Sequence, residues 1–272
     1  MVFLQLLFFV QVVLESLPVS SSGHQALVSC LFERVGLPEV AARFAELGVQ
    51  WNALLHLPTL AILAAYFLPH YLPVLFRLLR YKRGRSLILR MIMLVVLADV
   101  ITAALYLPLS PTFQRVIHLW VGFGWTTFVL WSLYFCSDRR CGVRLNGWNA
   151  VVLGTIHGLL GAPGMSRLAT MYVSARWLGF RGSRAFEIAW LLQVPLIIAA
   201  TARDLWREGL GTFVAPLANP WVLVSLFIAM VLGHSALCLS GRLARSGQLW
   251  RFVYYTAVLT VLTFMLGCAV TS

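Results

Sequence analysis

Two stretches, Met91 to Leu107 and Val116 to Phe135, hold a single charged side chain between them, Asp99. Each falls within the roughly 17–25 residues that a helix needs to cross the hydrocarbon core of a bilayer. Backbone at that depth finds no water, so it must close its own hydrogen bonds as a helix or a closed barrel. The rest of the chain agrees. It is 60% hydrophobic and only 11% charged, where a soluble domain carries about 25% charged residues. A soluble enzyme, a secreted disulfide scaffold and a disordered chain are excluded, and an all-α polytopic membrane protein is expected.

Further apolar runs extend from Ala53 to Leu79 (with Pro58, Pro69 and Pro73), Ala185 to Ala202, Trp221 to Leu239 and Leu249 to Val270. Two segments are broken. The first runs from the N-terminus to a turn at Leu17-Pro18-Val19-Ser20 and returns over His24 to Val35. The second covers Asn149 to Leu178 and is interrupted at Gly161-Ala162-Pro163-Gly164. The N-terminal stretch has neither the basic start nor the cleavage site of a signal peptide, and Gln11 and Glu15 interrupt its apolar part. A half-helix that dips in and turns back fits it better.

The 21 basic and nine acidic residues give a net charge of +12, and Lys82 is the only lysine. The arginines stand in short groups between apolar runs, which matches the cytoplasmic loops of membrane proteins and contact with lipid headgroups, not nucleic acid. The groups are Arg77 to Arg85, Arg139 to Arg144, Arg176 to Arg184, and Arg242 with Arg245. All four lie on one side only if both broken segments return to the side they came from. The expectation is therefore one membrane domain over residues 1–272, with six transmembrane helices and two re-entrant hairpins. Its halves, roughly 1–138 and 145–272, form an inverted-topology repeat. Pro18 and Ser21 echo Pro163 and Ser166, and His56-Leu-Pro58 echoes Gln193-Val-Pro195. The five cysteines suggest no disulfide framework: Cys30, Cys238 and Cys268 read as small buried residues, and Cys136 and Cys141 have no nearby histidine to complete a zinc site.

Two hairpin tips meeting at mid-membrane would make a polar cavity with helix N-termini pointing into it, which suits an anion. One tip supplies Ser20, Ser21, Ser22, Gly23 and His24, and the other Gly164, Ser166, Arg167 and Thr170. Gln11 and Glu15 share one helix face toward the first tip. Arg167 offers a planar fork for phosphate. A lone carboxylate beside a phosphate site more often holds a divalent cation than acts alone, which makes Glu15 a candidate metal ligand. Two blander expectations stand beside these: Glu15 as an ion pair to Arg167, and His24 as a helix cap. His56 borders the cavity. Asp99 reads as a packing partner for an arginine, and Glu187 as an interfacial partner of Arg184.

Gln11-x-x-x-Glu15 followed by LPVSSSGH resembles the first signature of the bacterial undecaprenyl-diphosphatase (BacA/UppP-type) membrane phosphatases, and PGMSRLAT at Pro163 to Thr170 is similar to the second. LLHLPTL at Leu54 to Leu60 and RFVYY at Arg251 to Tyr255 are further echoes. The second motif departs at Leu168 and Met171, where the family has serine and threonine, and His157 stands where the family usually has glutamine. The resemblance implies removal of the terminal phosphate of undecaprenyl diphosphate, recycling the carrier of peptidoglycan precursors and opposing bacitracin. It implies catalytic roles for Glu15, Ser21, His24 and Arg167, with Ser21 or His24 as the nucleophile. Phosphate contacts would come from Gln11, Ser20, Gly164, Ser166, Arg167 and Thr170. It further implies Mg²⁺ or Ca²⁺ as cofactor, held by Glu15 with Gln11 beside it, and an inner-membrane location with the site open to the periplasm. The partners are then the polyprenyl diphosphate and membrane lipids, with a homodimer left open. A translocase that moves the same lipid without cleaving it is the alternative, since broken helices at mid-membrane are also transporter architecture.

Overall fold

The computed structural model describes residues 2–136, 143–209, 211 and 214–268. It is helical throughout these residues. Helix α1 (Val2–Phe8) widens into a π turn (Phe9–Val13), breaks, and returns as α2 (Ser21–Arg34). After it come α3 (Pro38–Gln50), α4 (Asn52–Leu79), α5 (Lys82–Val116) and α6 (Leu119–Ser132). The second broken pair is α7 (Gly147–Gly158) and α8 (Arg167–Trp177), followed by α9 (Gly182–Glu208), α10 (Pro220–Arg245) and α11 (Phe252–Leu266). Five of these helices, α4, α5, α9, α10 and α11 with the turn before it, are long and apolar enough to cross a membrane, as a multi-pass protein requires.

Both breaks fall where expected, and three boundaries differ. Helix α5 runs through Pro108 and Pro111 to Val116 instead of stopping at Leu107, because a membrane helix can re-satisfy the carbonyls that proline frees. The apolar run expected as a span from Val116 begins after a kink at Ile117 and His118, so Leu119–Phe135 is a shorter apolar helix than the five. The stretch after the first hairpin, which belongs to none of the expected spans, is helix α3. Its Ala41 and Phe44 are buried while Ala45 faces outward. The Arg139–Arg140 group, Cys141 and Val270 lie outside the described residues.

Small residues set how closely the helices approach, as is usual where lipid supplies no hydrophobic drive between helices. Helix α7 lies along α5 through Gly154, where a Cβ would come within 2.5 Å of the Ala98 carbonyl oxygen. Thr102 Oγ1 donates to the Gly154 carbonyl at 3.1 Å across the same seam. Helix α10 lies along the first re-entrant arm, with Gly233 against Val12 and Ser240 Oγ donating to the Ser16 carbonyl at 2.9 Å. Helix α4 packs on α9, and α6 packs on α11, where the hydroxyls of Thr127 and Thr260 are 3.2 Å apart. Cys30, in the last turns of α2, is disulfide-bonded to Cys268 just beyond α11. This corrects the expectation of buried free thiols: the two cysteines are 238 residues apart, and only the fold brings them together.

Candidate active site

Ser20 takes φ 68°, a left-handed conformation rare for a residue other than glycine, and this turns the chain back into α2. Its hydroxyl accepts from Gly23 N–H at 3.2 Å and so caps α2. Strain of this kind costs about 1–3 kcal/mol and collects at functional sites. The second tip turns at Gly164 (φ 88°), and Ser166 caps α8 by accepting from Ala169 N–H at 3.2 Å. Two helix N-termini, with their unpaired N–H groups and positive dipole ends, are thus presented at the tips.

The tips touch. A Cβ on Gly23 would lie 2.6 Å from Gly164 Cα and 2.7 Å from its nitrogen, so the two backbones are as close as glycine permits. Helix α6 supports the junction from below. Gly122 lies against the Pro163 carbonyl, and Thr126 Oγ1 donates to the Gly164 carbonyl at 2.8 Å while accepting from Ser166 N–H at 2.8 Å.

Beneath the first tip the π turn and the following helical residues aim Gln11 and Glu15 at α4; π turns often mark functional sites. Glu15 Oε2 accepts from Gln11 Nε2 at 2.9 Å, Thr59 Oγ1 at 3.0 Å and His56 Nδ1 at 3.1 Å. Gln11 Oε1 accepts from Gln25 Nε2 at 3.0 Å. The carboxylate is therefore buried but well paired, as a buried charge must be. The pair expected between Glu15 and Arg167 is not made, because His56 holds the carboxylate. Arg167 lies with its guanidinium 4.9 Å from the centre of the Tyr106 ring. Among the described residues no carboxylate is within ion-pair distance of it.

His24 does not cap α2. Its Nδ1 is 2.6 Å from the Ser20 carbonyl oxygen, which can only accept, so Nδ1 carries the proton and Nε2 keeps the lone pair. Nε2 is 2.8 Å from the Tyr255 hydroxyl on α11, and the ring edge packs on Phe123. Ser21 opens α2, and no side-chain hydrogen bond to it occurs among the described residues; Ser22 is exposed. Thr170 faces away from the carboxylate cluster: its hydroxyl accepts from Trp125 Nε1 at 3.2 Å. Leu168 and Met171, the departures from the second signature, are buried in the apolar core. A cleft of about 490 Å³ opens from Ser22 and Pro163 past Gln25 and Ser29 to Arg203 and Arg207.

Thr59, Thr126 and Tyr255 were not expected as site residues. Thr59 could have been found, since it stands three residues after His56 on the same helix face. Thr126 and Tyr255 reach the site from distant helices; Thr126 carries no local signal, and Tyr255 ends the RFVYY echo, which assigned it no role. Among the other polar residues, Glu187 pairs with Arg184 at 2.8 Å as expected. Among the described residues Asp99 has no arginine partner, and its Oδ1 is buried without a hydrogen bond to them.

The donor set limits how a cation could be held. Gln11 turns its amide nitrogen to Glu15 and has its oxygen taken by Gln25. Among the described residues no three His, Cys, Asp or Glu side chains converge. One carboxylate is too little for a cation caged by protein alone. It does fit a cation bound mainly through substrate phosphates, the usual habit of Mg²⁺.

Comparison with known proteins places these observations in a family. The family model described as bacitracin resistance protein BacA matches residues 5–262. Proteins named undecaprenyl-diphosphatase align over nearly their whole length. One from Thermotoga sp. (strain RQ2) is 26% identical over 96% of this chain and 99% of its own. One from Carboxydothermus hydrogenoformans is 29% identical over 97% and 96%, and one from Alkaliphilus metalliredigens 28% over 92% and 93%. With both signatures at touching hairpin tips and the match running almost end to end, the chain belongs to the BacA family.

Proposed function

We propose that this protein hydrolyses undecaprenyl diphosphate to undecaprenyl phosphate and inorganic phosphate, recycling the lipid carrier for peptidoglycan synthesis and conferring bacitracin resistance. The observation that carries the reading is the contact of Gly23 with Gly164, which sets Ser20 to His24 and Ser166 to Arg167 around one point. Neither tip alone holds both an oriented lone pair and an uncommitted guanidinium. The terminal phosphate is received by Arg167 and by N–H groups at the starts of α2 and α8, aimed where charge develops on the phosphoryl oxygens. The Ser20, Ser21 and Ser166 hydroxyls and Gly164 complete its surroundings. Thr170, tied to Trp125, holds α8 against α6 in this arrangement.

His24 Nε2 attacks the terminal phosphorus while the bond from that phosphorus to the bridging oxygen breaks and undecaprenyl phosphate leaves; water then hydrolyses the phosphohistidine, releasing inorganic phosphate and freeing the imidazole. Ser21 has no hydrogen bond to it and so lacks the adjacent base that an active serine needs; its hydroxyl is a phosphate donor here. Glu15, with Gln11 oriented beside it, would hold a divalent cation that arrives with the diphosphate, and that cation would supply charge neutralisation between the two phosphates. His56 and Thr59 keep the carboxylate pointed at the tips.

The arrangement in the membrane follows the same reading: six spans and two re-entrant hairpins in two inverted halves. Support comes from packing. The first arm of each hairpin lies along a long helix of the other half (α1 and its π turn on α10, α7 on α5), and α4 pairs with α9 as α6 does with α11. The site opens to the outer, periplasmic side of the inner membrane. The disulfide supports this, because such bonds persist in oxidising compartments, and it sits at the end of α2 nearest the wide cleft. No observation favours a translocase over a hydrolase.

The test is phosphate release from undecaprenyl diphosphate by the purified protein in detergent, with and without a chelator. Release that depends on Arg167 supports the reading; binding of the lipid with no release of phosphate overturns it.

A further inference from the structure

From α11, the side chain of Tyr255 reaches the first tip. Its hydroxyl is 2.8 Å from His24 Nε2, and the two ring planes are nearly parallel (6°) and offset, with centroids 5.7 Å apart. Because Nδ1 is committed to the Ser20 carbonyl at 2.6 Å, Nε2 accepts from the phenol. The imidazole is thus held in three ways: by Ser20 at one nitrogen, by Tyr255 at the other, and by the Phe123 ring packed perpendicular to it. His24 is 7% exposed, whereas Tyr255 is 44% exposed, so the phenol is the layer between the reactive nitrogen and the surroundings. Helix α11 packs chiefly along α6, while α10 packs on the first hairpin and α4, which leaves Tyr255 on a flank of α11 that no long seam closes.

We infer that Tyr255 is a positioning residue and a cover for His24: it holds the imidazole ring with Nε2 aimed into the site and occupied, and a phosphate reaches that nitrogen only when the phenol gives way. This rests on the proposed hydrolase reading for its consequence in turnover, but not for its geometry. The lone pair needed for attack cannot serve the phosphorus and the phenol at once. The cover therefore also shields the nucleophile from adventitious electrophiles while the site is empty.

The experiment uses the full chain in detergent with Tyr255→Phe, and Tyr254→Phe as the control one position away on the lipid-facing surface. Diethyl pyrocarbonate acylates unprotonated imidazole nitrogen, and its rate at His24, read by peptide mass spectrometry, needs no turnover. The rate at His24 is expected to rise at least fivefold in Tyr255→Phe and to stay within twofold in Tyr254→Phe. In the phosphate-release assay, Tyr255→Phe is expected to lose about tenfold in kcat with KM within twofold, since the ring loses its orientation but the phosphate-binding groups remain. An unchanged acylation rate at His24, or a kcat within twofold of the parent, overturns the inference. If the parent releases no phosphate at all, the hydrolase reading fails while the acylation rates still decide the cover.

Discussion

The contact between the tips makes a sharp prediction for Gly23→Ala. A new Cβ would stand 2.6 Å from Gly164 Cα, 2.7 Å from Gly164 nitrogen and 2.8 Å from Phe123 Cζ. Carbon atoms settle at about 3.5–4.0 Å, so the two tips must part by about 1 Å. Phe123 is fully buried and cannot swing aside cheaply. Gly164 cannot yield alone, since Thr126 ties its carbonyl and the neighbouring Ser166 to α6. Overpacking of this kind costs about 1–3 kcal/mol of stability, which a folded protein can survive. Catalysis is more sensitive: a misplacement of about 1 Å between reacting groups can cost about 10²-fold in rate.

The assay is phosphate release in detergent together with the thermal midpoint of the same preparation. Gly147→Ala is the control, because a Cβ there meets nothing within 4 Å at the exposed start of α7. It should leave activity unchanged. A Gly23→Ala protein that elutes like the parent and melts cooperatively a few degrees lower should be slower by about two orders of magnitude. If it turns over within threefold of the parent, the tips do not need to touch, and the shared site is wrong.

Arg167→Lys keeps the charge but loses the bidentate fork; phosphate release should fall by about 10²–10³-fold, as when an oxyanion donor is removed elsewhere, and retention within threefold would remove the phosphate clamp. Glu15→Gln replaces an acceptor that takes three donors by a group with only one acceptor atom, so hydrolysis should be lost even in saturating Mg²⁺ or Ca²⁺ while the protein stays folded; full turnover would show that neither a cation nor His56 needs that charge. Replacing Cys30 and Cys268 by serine removes a link across 238 residues; a native disulfide is worth about 2–5 kcal/mol, so the thermal midpoint should drop by several degrees, and by the same amount when the parent is reduced. An unchanged midpoint in both would mean the bond does not form.

What the linear sequence revealed was what local chemistry controls. Pro18 and the Gly161-to-Gly164 stretch cannot continue a helix, so both breaks were legible. Serines standing before a run of helix formers marked the caps that Ser20 and Ser166 became. The paired spacing of Gln11 and Glu15 survived the π turn between them. What it hid was long-range. That the two hairpin tips would meet followed from the inverted repeat, but nothing near Gly23 singles out Gly164 as its contact, and nothing near Tyr255 announces His24, because both contacts join opposite halves of the chain. Cys30 and Cys268 read as core thiols for the same reason. Helix α3 was missed because Glu39, Arg43 and Glu46 make it too polar for a span; only its buried Ala41 and Phe44 reveal one apolar face.

The two halves share a plan but divide the chemistry unequally. In the first, the polar residues behind the tip satisfy one another: Glu15 takes three donors and Gln11 is bound at both ends. In the second, the corresponding residues do not. Among the described residues His157, in the arm before the second tip, has both ring nitrogens buried without a partner, and Gln193, the echo of His56, has an equally unpartnered Oε1. Each such atom costs about 1–3 kcal/mol, so the second half is the less self-satisfied of the two. Arg167 is in the same condition, with an aromatic ring for a neighbour instead of a carboxylate. A membrane protein that binds a polyanion has reason to be built this way. A first half with its own charges paired keeps its carboxylate and imidazole in place before substrate arrives. A second half with charge left over then gains most when the phosphates bring the acceptors it lacks.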